Sequence, residues 1–175
     1  MIFDSVFWKE PLLKTATYLS RVRLTESTRD KTLARIEKEV FIGFYAVRKL
    51  LDTFSVSDST RALKVEVASY KVKREVDFLN WHRVDQIVDL THSTLEVRDL
   101  KFLCNQFVHS YIFCPVEDAG RLAGFYFASD TERKRKCYFV NISEVVGLFR
   151  IVGRDYPSKL ELRRNADGQF EAKAS

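Results

Sequence analysis

The most regular hydrophobic pattern in the chain runs through Leu33, Ile36, Val40, Phe44, Val47, Leu51 and Phe54, at steps of 3, 4, 4, 3, 4 and 3. That is the period of an α-helix with one apolar stripe. Phe41 and Tyr45 widen the stripe, so this helix is expected at the centre of the molecule, packed by several other elements. Residues 8–23 predict an earlier helix, in which Leu12, Ala16, Leu19 and Val22 share a face. Pro11 falls in its opening turn, where a missing N–H costs little. Between the two helices, Thr25, Ser27, Thr28 and Asp30 are candidate N-caps.

Residues 63–72 alternate, with Val65 and Val67 on one side and Glu66, Ala68, Tyr70 and Val72 on the other, which predicts a half-buried strand. Residues 74–90 fit two descriptions: Phe78, Trp81, Val84, Ile87 and Val88 suit a short helix, and Ile87-Val88 suits a strand equally well. Ser93 with Glu96 three residues on forms a capping box, predicting a helix that turns Val97, Leu100, Cys104, Phe107 and Tyr111 inward and stops before Pro115. Aromatic-rich runs at 122–128 and 137–142 flank the polar residues 129–136 and read as a hairpin with a long basic tip. A further helix starts at Ser143 and uses Val145, Val146, Phe149 and Val152, and residues 159–173 read as a second hairpin turning at Asn165-Ala166-Asp167-Gly168. Helices and strands are not interleaved regularly along this order. The expected class is therefore α+β, a long central helix and a second buried helix packed with a mainly antiparallel sheet from the C-terminal half.

Composition adds limits. With 175 residues, 46% of them hydrophobic, and only six Gly and three Pro, the chain suits a single domain over 1–175 and excludes a disordered, collagen-like or coiled-coil protein. Cys104, Cys114 and Cys137 cannot all pair within the chain, which suits a reducing compartment. Asp4, Lys9 and Glu10 stand where a signal peptide needs an apolar core, and no run is both long and apolar enough to span a bilayer. The expectation is a cytoplasmic protein with no membrane partner.

Charge changes the picture by its position. Lys+Arg 29 against Asp+Glu 24 leaves a net +5, and the chain from residue 119 onward carries eleven basic and seven acidic residues. The densest point is Arg133-Lys134-Arg135-Lys136, at the tip of the expected hairpin. Four cations there can follow a phosphate backbone, with Tyr126, Phe127, Tyr138 and Phe139 as stacking surfaces. The other reading is a solubilising tip above core aromatics.

Candidate chemistry sits earlier. On the expected helix, Arg98, Lys101, Asn105 and His109 fall at steps of 3, 4 and 4 and make one polar stripe. Imidazole exchanges a proton near neutral pH and Arg or Lys holds phosphate, so His109 is the candidate acid or base, Asn105 its orienting group, and Arg98 and Lys101 join the tip cations as nucleic-acid contacts. A plain solvated face is the alternative. Asn105, Gln106, His109 and Ser110 nevertheless lie in a stretch without formal charge, where such a face more often carries Lys or Glu.

The segment Asn105-Gln106-Phe107-Val108-His109-Ser110-Tyr111 resembles the end of the HEPN ribonuclease and toxin motif, in which an Arg, often followed by a polar residue such as Asn, precedes a His by a few residues on a helix. The resemblance implies metal-independent RNA cleavage at a dimer interface where Arg and His of two protomers meet. Cys104 stands where the motif has Arg, so a partner chain or Arg48 of the long helix would supply the cation. The whole chain also resembles small bacterial proteins built around an Asn-Gln-x-x-His-Ser core, which implies no activity.

Cys104, His109 and Cys114 match the last three ligands of a zinc knuckle, but Lys101 stands for the first Cys. Steps of five residues on a helix also turn successive ligands by about 140°. No metal and no cofactor are expected, and His82, Asp85, Asp89 and His92 read as polar surface. The functional expectation is a nucleic-acid-binding protein, RNA-processing in the HEPN-like reading. The alternative is a protein-interaction or assembly module, an immunity or accessory factor, that uses its broad central helix in a homodimer.

Overall fold

Apolar periodicity and local capping account for most of the helical layer. The structure is a computed structural model and describes residues 2–25, 27–164, 167 and 170–175. Helix α1 (Val6–Leu19) buries Leu12, Ala16 and Leu19, with Pro11 in its second turn. It ends four residues before the limit that the sequence pattern suggests, and the chain beyond it is tied down where Leu24 N–H donates to the Gly120 carbonyl at 3.2 Å. Helix α2 (Asp30–Leu51) is the long helix. Asp30 in its first turn and Arg48 and Lys49 in its last complement the helix dipole. Ile36, Val40, Phe44 and Val47 are fully buried, whereas Leu33 and Phe54, the ends of the stripe, are exposed. A single turn, α3 (Asp58–Arg61), is capped by Ser57.

Strand β1 (Lys64–Val72) is followed by the one-turn α4 (Val84–Ile87) and strand β2 (Val88–Asp99). The segment that fits both helix and strand therefore contains both in succession. The helix expected from Ser93 does not start there. Residues Ser93 to Asp99 pair antiparallel with Tyr70 to Lys64, and the β-branched Thr91, Thr94 and Val97 suit that extended backbone. Helix α5 (Leu100–Val108) instead begins at Asp99, whose Oδ1 accepts from Phe102 N–H at 2.7 Å. It ends earlier than expected as well. Strand β3 (Ser110–Asp118) follows at once, and Pro115 is tolerated there because β3 is an edge strand.

Strands β4 (Arg121–Ser129) and β5 (Lys136–Asn141) form the expected hairpin, with a short 3-10 turn (Glu132–Lys134) in its tip. Helix α6 (Ile142–Arg154) is capped by Asn141, whose Oδ1 accepts from Ser143 N–H at 2.9 Å. Strands β6 (Leu160–Arg164) and β7 (Phe170–Ala174) pair antiparallel as a separate ribbon. Of the turn expected between them, Asn165, Ala166 and Gly168 lie outside the described residues.

The fold is α+β. The main sheet has the order β2-β1-β5-β4-β3, and every neighbouring pair in it is antiparallel. Strand β1 precedes the C-terminal half, where the alternation at residues 63–72 places it, and the other four strands of this sheet lie within that half. One face carries Val65, Val67, Phe125, Phe127, Tyr138 and Val140 into a core with α1, α2, α5 and α6. The other face packs Ile112, Ala128 and Cys137 against Val76, Val84, Ile87 and Val88. Helix α5 leaves edge strand β2 and enters edge strand β3, so it crosses the helical face from one edge of the sheet to the other. Phe107 fixes its rotation, lying between Phe44 of α2 (centroids 4.0 Å apart, planes at 3°) and Phe127 of β4 (4.5 Å, 21°). Among the described residues no helix is long and apolar enough to cross a membrane.

Candidate nucleic-acid interface

With Phe107 turned inward, α5 leaves Lys101, Asn105 and Val108 on its outer side. Arg98 belongs to β2 and not to the helix, so the expected four-residue polar stripe is broken at its first member. Lys101 sits exposed in the first turn of α5 and is not brought to the tip cations. Asn105 Oδ1 accepts from Arg48 Nη1, and Arg48 Nε also donates to Asp52 at 3.2 Å. His109 is the C-cap of α5 and is exposed; its carbonyl accepts from Asp130 N–H at 3.0 Å, which puts it beside the start of the basic tip. A cation, an amide and an imidazole therefore follow one another along the α2–α5 edge. The other polar residues of this stretch have local tasks: buried Gln106 accepts from Ser129 N–H at 2.9 Å, and Ser110 donates to the Ile112 carbonyl at 2.6 Å. Cys104 faces the core, and burial pushes its thiol up to about 12.

The basic tip is more neutralised than its sequence suggests. Arg133 Nε pairs with Asp130 at 2.9 Å, its Nη1 donates to the Val76 carbonyl, and its guanidinium lies 3.8 Å from the centre of the Tyr111 ring. Arg135 pairs with Glu132 at 2.8 Å, though its side chain is 74% exposed. Lys136 donates to Glu96 Oε1 at 2.5 Å, and Arg98 donates to the other oxygen of the same carboxylate. Burial alone would push Glu96 up, but donors from Lys136, Ser69 and Arg98 outweigh it and hold the carboxyl down at about 2. Lys134 is exposed and has no ion pair among the described residues. Phe127 and Tyr138 belong to the core, and Tyr126 and Phe139, 5.2 Å apart, lie half-buried on the opposite face of the sheet.

Beside the tip, a groove of about 450 Å3 is lined by Ser69, Lys71, His92, Thr94, Arg135 and Lys136, with Asp89 and Glu96 as its acids. Lys71 was not singled out by sequence reasoning. It is exposed and stands directly opposite Lys136 in the β1–β5 register. Glu96 already takes the Lys136 ammonium, whereas Lys71 has no ion pair among the described residues. On the far wall Thr91 holds Asp89 by hydrogen bonds that lower its carboxyl below the usual range, Thr91 Oγ1 lies 2.8 Å from His92 Nδ1, and His92 lies 3.6 Å from Asp89. The groove and His109 lie at the same end of the sheet; the groove spans β2, β1 and β5, whose nearest strand is two spacings, roughly 10 Å, from β3 beside His109. Among the described residues no group of three His, Cys, Asp or Glu side chains is placed to hold a metal ion.

Comparison with protein-family models, with curated proteins and with solved structures gives no significant match.

Proposed function

We propose that the protein binds nucleic acid, with the groove at the β1–β2–β5 end of the sheet as its phosphate contact. The observation that carries this reading is the cross-strand pair Lys71 and Lys136, joined on the same groove by Arg135 and by the hydroxyls of Ser69 and Thr94. A phosphate seated there would partner Lys71 and the exposed Arg135 beside the Lys136–Glu96 pair, and hydroxyls supply the neutral donors that commonly accompany such contacts. His109, at the other edge of the same end and beside Asp130, is the group for proton transfer if the bound strand is RNA and is cleaved. Arg48, bonded to Asn105 one turn away, supplies the cation in that reading.

Labelled single-stranded RNA and DNA titrated at about 50 and 200 mM salt test the proposal, because each phosphate contact contributes about one unit to the log–log salt slope. Lys71→Gln and Arg135→Gln are each expected to weaken binding and lower that slope by about 1. Retention of neither nucleic acid at low salt overturns the reading. His109→Ala should abolish RNA cleavage while retention persists, and cleavage by that variant overturns the role given to His109.

A second reading, self-association, draws on one observation: Leu95 and Val97 on edge strand β2 are 66% and 68% exposed. An open edge with exposed aliphatic side chains is a template for pairing with a second copy. Part of the breadth of α2 that favoured assembly is used internally, since Phe41 meets Phe113 edge-on at 4.9 Å and Gly43 lies against Phe149. A strictly monomeric mass by light scattering overturns the self-association reading.

A further inference from the structure

At the opposite end of the sheet from the groove, the β3–β4 turn meets the chain leaving α1. Ala119 and Gly120 both have positive φ, 49° and 77°, as a tight two-residue hairpin turn requires. The Gly120 carbonyl accepts from Leu24 N–H at 3.2 Å, so the residues after α1 are pinned to this turn. Leu24 and Leu122 are both buried and anchor the two segments. Arg23 directly precedes Leu24, Arg121 stands between Gly120 and Leu122, and Arg21 lies two residues before Arg23. All three line one recess of about 320 Å3 together with Ser20 and Val22.

What sets the three guanidiniums apart is that they share one recess whose lining holds no carboxylate. Arg48, Arg61, Arg98, Arg133 and Arg135 each have a carboxylate within ion-pair distance. Arg21, Arg23 and Arg121 have no such partner among the described residues, although all three are gathered in one place by backbone contacts that the fold requires. Three like charges held together raise the local potential and favour a counter-anion. Guanidinium forks match the oxygens of a phosphate in shape as well as charge.

We propose that Arg21, Arg23 and Arg121 form a binding site for the phosphate group of a small phosphorylated molecule. The size of the recess lies at the lower end of small-molecule sites, which begin at about 300 Å3. Arg21 also borders a second groove, of about 600 Å3, formed on α1 by Glu10, Leu13, Lys14, Thr17 and Tyr18. This adjoining surface can receive the organic part of a phosphate monoester once its phosphate is seated on the arginines. The site shares no lining residue with the proposed nucleic-acid groove and stands independently of that reading.

Calorimetric titration of the whole protein at low salt with inorganic phosphate, AMP and adenosine tests the proposal. Inorganic phosphate and AMP should compete for the arginine recess, AMP the more tightly, and adenosine should not bind. Arg121→Gln should weaken both by about tenfold or more, as expected for loss of a charge-assisted contact, and Lys38→Gln, on the exposed side of α2 and outside both grooves, should leave them unchanged. Arg23→Gln, in an irregular exposed segment, gives the same readout should Arg121→Gln fail to fold. No heat with phosphate or AMP overturns the proposal, as does binding that both arginine variants retain. Retention on phosphatidylglycerol vesicles or on RNA without binding of AMP also overturns it, because the recess would then serve a membrane or a polymer.

Discussion

Two glycines in helices allow the packing of α2 and α6 to be tested with the same substitution and opposite expected signs. A Cβ built on Gly43 lies 2.5 Å and 2.6 Å from Cζ and Cε2 of Phe149, whereas a Cβ on Gly147 meets nothing within 4 Å. Ordinary carbon contacts begin near about 3.5 Å, so Gly43→Ala drives a methyl roughly 1 Å into the ring. Phe149 cannot swing away freely, because it is fully buried and packs edge-on against Phe44 at 5.1 Å. Overpacking of this kind costs about 1–3 kcal/mol, offset by about 1 kcal/mol of helix propensity gained on replacing Gly. Gly43→Ala should therefore be destabilising by up to about 2 kcal/mol, and Gly147→Ala should be stabilising by close to 1 kcal/mol, since only the propensity gain applies. Urea unfolding of the three proteins, compared by midpoint at constant m, measures both. Gly43→Ala as stable as Gly147→Ala would refute the close approach of α2 and α6.

Glu96 and the cysteines give two further expectations. The folded carboxyl of Glu96 is held at about 2 against an ordinary value of 4.5, so its ionised form stabilises the fold above the ordinary value, and this stabilisation is lost as pH falls through that window toward 2. The lead of the native protein over Glu96→Gln in urea unfolding should include about 3 kcal/mol from this source near pH 5 and roughly half of it near pH 3; a lead that does not change with pH would contradict the pairing with Lys136 and Arg98. Burial pushes the thiols of Cys104, Cys114 and Cys137 up to about 12. Iodoacetamide at neutral pH should leave Cys104 and Cys137 of the native protein unmodified by mass spectrometry and label them after denaturation, and rapid native labelling of Cys104 would contradict its place in the core.

What could be read from the sequence depended on whether a segment carries its own burial pattern. Helix α2, the β4–β5 hairpin and α6 each bury one face, so period and aromatic content declare them. Strand β2 does not: only Val88 in it is fully buried, so no alternation marks it, while Leu100, Cys104 and Phe107 just beyond supply a helical spacing that extends backward over it. Pairing with β1 decides its state, and the β-branched Thr91, Thr94 and Val97 were the available signal. Asn105 and His109 were legible as an edge of α5, and Arg48 was among the cations considered for it. Lys71 was not, because its meaning comes from standing opposite Lys136 across a strand pair that local spacing does not reveal. Lys9 is a further case. Nothing in its local spacing marks it, yet it is fully buried, donating to the Ser55 carbonyl at 2.6 Å and to that of Asp155 and lying 3.9 Å from the centre of the Tyr156 ring.

The order β2-β1-β5-β4-β3 gives the groove a property that no single residue confers. Strands β1 and β2 are one antiparallel pair, and β3, β4 and β5 are neighbours in both sequence and space. Between these two local units the strand contact is the β1–β5 seam, four residue pairs from Ala68 opposite Phe139 to Lys71 opposite Lys136. Lys71 and His92 come from one unit and Arg135 and Lys136 from the other. The groove consequently exists only when the most non-local pairing of the sheet has closed, and a chain in which either unit has formed alone carries half of the site and none of its charge juxtaposition.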